Sequence, residues 1–132
     1  MTQNEKDILL KDLCSRLPYG VKAQIPDEYG GYTSAIESID IDGFVVDFEG
    51  VQMEIEYITP YLFPLSSMTK EQEKEYRKVC DLDMKILENR PMKGEPFPAL
   101  YNSQDWLDAN HFDYRGLIPM GLAEDATGLN IY

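Results

Sequence analysis

The stretch that most constrains the fold is residues 36–58, IESIDIDGFVVDFEGVQMEIEYI, where apolar and polar side chains alternate around two glycine-bearing turns. Alternation with period two lines one face of a strand, and Asp-Gly is a strong hairpin signal. Asp42-Gly43 is read as a two-residue turn and Glu49-Gly50 as a second. Directly opposed residues then share a face. The first turn sets Ile41 against Phe44 and Ile39 against Val46. The second sets Phe48 against Val51, Val46 against Met53 and Phe44 against Ile55. Every one of these is apolar, so the expectation is a three-stranded antiparallel meander with that face buried. Asp40, Asp47, Gln52, Glu54 and Glu56 would lie on the outer face. Glu37 would oppose Phe48 in the core, so a bulge near Glu37-Ser38 is needed to bring Ile36 back inside.

The flanking elements follow from caps and breakers. Thr2 and Glu5 have capping-box spacing, and Ile8, Leu9, Leu13 and Leu17 share one side of a helix that Pro18 and Gly20 stop. A short strand is expected near Val21–Ile25. Tyr57–Pro64 reads as a last strand confined to an edge by Pro60 and Pro64. Thr69 and Gln72 open a second helix with Tyr76, Val79 and Cys80 on its stripe. Beyond it Leu82, Met84 and Ile86 alternate with Asp81, Asp83 and Lys85, which suggests a break near Asp81 and a strand, because a continuing helix would put Asp83 on the buried stripe. Residues 89–100, with three prolines and a glycine, read as a loop. The resulting map is a single domain, 1–132. It has a helix at 1–18, an antiparallel sheet at 20–64 and a helix at 67–81. An irregular segment or edge strand follows at 82–102, then docked C-terminal helices at 103–123. The expected class is α+β, with the strands forming a small SH3-like or Sm-like barrel or a curled meander.

The tail holds the single histidine, His111. Ser103 is placed to cap a helix over Gln104–Phe112, on which Asp108 and His111 share a side. Together with Asp113 and Arg115 they form the alternative site that an acid–base or metal-dependent enzyme would need. The donor set is short of the four ligands of a structural metal site, and side chains at i and i+2 diverge on a helix. No nucleophile elbow, phosphate loop, dinucleotide fingerprint or paired-cysteine motif occurs. No catalytic residue, metal or cofactor is therefore expected. The competing reading is docking: Trp106, Leu107, Phe112, Leu117, Ile118, Met120 and Leu122 are a dense apolar set, and Asp113 is placed to cap a second short helix from Tyr114.

Charge narrows the partners. The net charge is −12, and nine acids but no base fall between Lys22 and Lys70. Such a segment repels phosphate, which argues against nucleic acid and for solubility or a basic partner. No apolar run is long enough to span a bilayer, residues 1–12 lack a signal peptide's apolar block, and Cys14 and Cys80 make no disulfide framework. The expectation is a cytoplasmic protein with reduced thiols and no membrane partner.

Three stretches resemble a known family: LLKDLCSRLPYGVK (9–22), PYLFPLSSMTKEQ (60–72) and DWLDANHFDYRGLIPMGLA (105–123). They are similar to small proteins of gut bacteria, associated with prophages and mobile elements, that end in a W-L…H-F-D-Y-R-G-L-I-x-x-G-L-A segment. These stretches cover about a third of the chain. The resemblance implies no activity. It fits a constant frame presenting a variable surface. The expected function is a non-catalytic interaction module that binds an unidentified protein through an acidic face including Asp47, Glu54 and Glu56.

Overall fold

The computed structural model describes residues 1–40, 42–88 and 103–132. Helix α1 (Gln3–Arg16) opens on a reciprocal cap: Thr2 Oγ1 accepts from the Glu5 amide and Glu5 Oε2 from the Thr2 amide, both at 3.1 Å. Among the described residues seven strands follow in chain order: β1 (Lys22–Gln24), β2 (Thr33–Ile39), β3 (Phe44–Asp47), β4 (Gln52–Glu54), β5 (Thr59–Pro64), β6 (Phe112–Asp113) and β7 (Glu124–Asp125). Helices α2 (Lys70–Glu88) and α3 (Ser103–Ala109) lie between β5 and β6. The class is α+β, as expected. The sheet runs β4-β3-β2-β1-β5-β6 as an open path, with β7 also on β5. It is mixed, not purely antiparallel, because β6 and β7 run parallel to β5.

Both hairpin turns differ from expectation by one residue. Asp40 N donates to Phe44 O (2.9 Å), and Asp40 Oδ1 accepts from the amides of Asp42 and Phe44. Asp47 N likewise donates to Val51 O (3.1 Å), and Asp47 Oδ1 accepts from the Val51 amide (2.8 Å). Each loop therefore has three residues and ends on a left-handed glycine, Gly43 at φ 82° or Gly50 at φ 83°. The extra residue in each loop slides the register by one and exchanges the faces of β3, while β4 keeps the faces expected of it. Val45, not Val46, opposes Ile39 and Met53, and it is fully buried. Val46 is half-buried, Phe48 is 73% exposed at its loop, and Asp47 points inward, completely buried. The bulge lies where it was expected, between Ile36 and Ser38, and Ile36 is in the core.

Two further expectations are corrected. Strand β5 is interior: its first half pairs with β1, and its second half takes the two-residue strands β6 and β7. Prolines 60 and 64 keep each ladder short without forcing β5 to an edge. Helix α2 continues through Asp81 to Glu88, with no strand at 82–86. Asp83 does fall on the half-buried stripe, and there it accepts a hydrogen bond from the Ser103 amide (2.6 Å), so it holds the start of α3. The expected loop at 89–100 lies outside the described residues. Helix α3 ends at Ala109, short of Phe112, and no helix forms at Tyr114. A turn over 117–121 replaces it. The core joins Leu9 and Leu13 of α1 to Val21, Ala23 and Ile25, the sheet residues Val45, Met53 and Leu62, and Leu117 and Leu122 of the tail.

Candidate functional site

Charged residues converge where the tail meets α1. Leu9, Asp12, Leu13 and Arg16 occupy one stripe of the helix, so Asp12 and Arg16 are carried into the core, where both are fully buried. Arg16 Nε donates to Asp12 Oδ2 (2.8 Å) and Nη2 to Asp12 Oδ1 (3.1 Å). Arg16 Nη2 also donates to the Phe112 carbonyl (2.6 Å), which ties α1 to β6. From the tail, Arg115 Nη1 donates to Asp12 Oδ1 (2.8 Å), Ser15 Oγ (3.2 Å) and Tyr114 Oη (2.8 Å). Tyr114 in turn donates to Asp108 Oδ1 (2.7 Å), whose carboxylate lies 3.9 Å from Arg16 Nε. Burial raises the Asp108 carboxyl above its usual range, opposed by the Tyr114 hydrogen bond and by Arg16. The Tyr114 ring lies under both guanidinium groups, at 5.2 Å from Arg16 and 4.6 Å from Arg115.

The four residues expected to share a site therefore separate. Asp108 and Arg115 join the clasp. Asp113 does not: its carboxylate accepts from the amides of Leu117 and Ile118, both at 2.9 Å, and so shapes the turn that follows. His111 sits in the left-handed region (φ 63°), where it ends α3 through its backbone instead of a side-chain cap. Its ring stacks on Tyr132 with centroids 3.6 Å apart. Burial, helped by the nearby cations Arg16 and Lys22, lowers His111 to about 4, so the ring is neutral. Among the described residues no group of three potential ligands is placed to hold a metal ion.

Asp12, Ser15, Arg16 and Tyr114 were not anticipated. A signal for the first and third was present, since an Asp and an Arg four apart occupy the helix-period positions between Leu9, Leu13 and Leu17. Burial bears out docking of the tail in part: Leu107, Phe112, Leu117 and Leu122 are enclosed, Trp106 is half-buried and stacks on Phe112 at 5.9 Å, and Met120, expected in the same set, is exposed. No family model, curated protein or solved structure matches this chain.

The second cluster of carboxylates lies at the hairpin end of the sheet. There a groove of about 290 Å³ runs between α1 and the strands, lined by Gln3, Lys6, Asp7, Leu10, Asp42, Gly43, Phe44, Glu54 and Ile55. Lys6 Nζ pairs with Glu56 at 3.4 Å. Glu54 is exposed, and its hydrogen bond with Glu56 and the like charge there raise its carboxyl above the usual range. Of the three acids expected on the outer face, Glu54 and Glu56 reach the surface. Asp47 instead accepts from Tyr32 Oη on the inner side, a bond that pushes the Tyr32 hydroxyl up to about 12. No helix of the described residues is long and apolar enough to cross a membrane.

Proposed function

We propose that the chain is a non-catalytic interaction module that binds a basic protein partner through the hairpin end of its sheet. The observation that carries this reading is the contrast in charge pairing. The arginines of the clasp are spent on its own buried carboxylates, whereas Asp7, Asp42, Glu54 and Glu56 stand at the surface with Lys6 as the single base lining the groove. An acidic surface of this kind speeds encounter with a basic partner and selects against acidic ones. The enzyme alternative, centred on Asp108, His111, Asp113 and Arg115, has weaker support. His111 is neutral and stacked on Tyr132, Asp113 is committed to two amides, and none of the four lines the groove beside α1.

The test is affinity capture with the full chain and with the Glu54→Lys/Glu56→Lys variant, at low and at physiological salt. Basic proteins recovered by the native chain should be lost by the variant. The difference should shrink with salt, because exposed charges are screened over about 8 Å at physiological ionic strength. Identical recovery by the two chains at low salt would overturn the reading.

A further inference from the structure

We infer that the groove between α1 and the hairpin end reads an arginine side chain of a basic partner protein, its aliphatic stem on Leu10, Phe44 and Ile55 and its guanidinium among Asp7, Asp42 and Glu54. The inference rests on the interaction-module reading and adds to it a site and a chemical class of ligand. A groove of about 290 Å³ suits one long side chain and is small for a folded segment. Its lining is mixed in the manner such a side chain needs. Leu10, Phe44 and Ile55 are half-buried and offer apolar surface to a methylene stem, while Asp7, Asp42 and Glu54 are exposed around them.

The local charges favour a cation over any other occupant. Lys6, the base of the groove, is already paired with Glu56. Gln3 Nε2 donates to Asp7 Oδ1 (2.9 Å), which steadies that carboxylate at the groove. Arginine fits better than lysine, because its planar, weakly hydrated guanidinium presents several donors at once to separate carboxylates. A second copy of the chain is a poor occupant, since each copy carries a net charge of −12.

The experiment titrates the ¹⁵N-labelled full chain with the capped peptide acetyl-Gly-Arg-Gly-amide. Peptides with lysine or the neutral isostere citrulline in place of arginine serve as comparisons. Amide shifts should concentrate at Lys6, Asp7, Leu10, Gly43, Phe44 and Ile55, with arginine binding tighter than lysine and citrulline inert. Asp42→Asn/Glu54→Gln should weaken the arginine peptide about tenfold, the equivalent of one charge-assisted contact. Glu49→Gln, in the β3–β4 loop outside the groove, should leave binding unchanged. Shifts spread over the acidic surface, equal response to lysine and arginine, or no response would each overturn the inference. The failures are separable. If the peptide misses the groove while charge reversal still abolishes capture of basic proteins, the groove assignment falls and the module reading stands. If capture fails while the peptide binds as expected, the module reading falls.

Discussion

The two clusters of carboxylates in this protein are handled in opposite ways. In the clasp, Asp12 and Asp108 are buried, and each lies beside a guanidinium or a hydroxyl that donates to it. At the hairpin end, Asp42 and Glu54 remain in water, and Glu56 has one partly exposed lysine. A buried charge without a partner costs several kcal/mol, whereas an exposed one costs little and gains little from a partner. The difference lies in where each residue falls along its element. Asp12 is carried inward by the apolar stripe of α1, and its arginines, at positions 16 and 115, come from both ends of the chain. Buried ion pairs add modestly to stability, and what the clasp supplies is a tie between tail and α1, through Arg16 on the Phe112 carbonyl and Arg115 on Asp12.

The sharpest way to break that contrast is to bury a carboxylate that has no arginine. Val45→Asp puts one in the core between Ile39 and Met53, and the domain should unfold, since the cost of several kcal/mol is a large part of a small domain's stability. Val46→Asp, one position on, points to the half-buried face and should leave a folded protein. Circular dichroism of the pair reads the register directly, and the reverse order of damage would restore the two-residue turns.

Removing the arginine from the clasp is the next largest change. Arg16→Ala leaves Asp12 without its two-point partner and the Phe112 carbonyl without a donor, and should destabilise by about 3–5 kcal/mol in urea unfolding. A loss below about 1 kcal/mol would mean that Arg115 or solvent satisfies Asp12 alone.

These two variants also mark what could be read in the sequence. The α1 cap, the acidic middle and the apolar tail follow from local chemistry, and the structure has all three. The register does not, because Asp-Ile-Asp-Gly closes as either a two- or a three-residue loop. The side chains of Asp40 and Asp47, each three residues before its glycine and each accepting from the strand amide beyond, decide for the longer loop. Continuation of α2 was hidden for another reason: Asp83 looked misplaced on the stripe because its partner, the Ser103 amide, is twenty residues away. The site was half legible. Asp108 and Arg115 were named, but their partners on α1 lie about a hundred positions upstream.

His111 sharpens the comparison by pH. Its folded value of about 4 lies below the ordinary value near 6.5, so the unfolded chain takes up the proton first as the pH falls. The stability tied to the neutral ring is present in full above about 6.5 and is lost between there and about 4. Asp108 has the opposite sign, because its raised carboxyl favours the protonated form in the fold, but His111→Asn retains it and tolerates the left-handed backbone. The acid limb of denaturant-derived stability should therefore be shallower in His111→Asn, by a fraction of the roughly 1.4 kcal/mol per pH unit that one proton can impose. Equal slopes between pH 5 and 7 would place the ring in water.

The smallest effect belongs to Glu54. Neutralising it as Glu54→Gln removes the like charge beside Glu56 and leaves the Lys6–Glu56 pair in place. Glu54 has no buried partner to orphan, so the melting temperature should hold or rise slightly, in contrast with any substitution in the clasp. The rise should be larger at low salt, where the repulsion it relieves is least screened. A fall in melting temperature would show that the hydrogen bond between Glu54 and Glu56 outweighs their repulsion and that the hairpin end, like the clasp, has already spent its charge on itself.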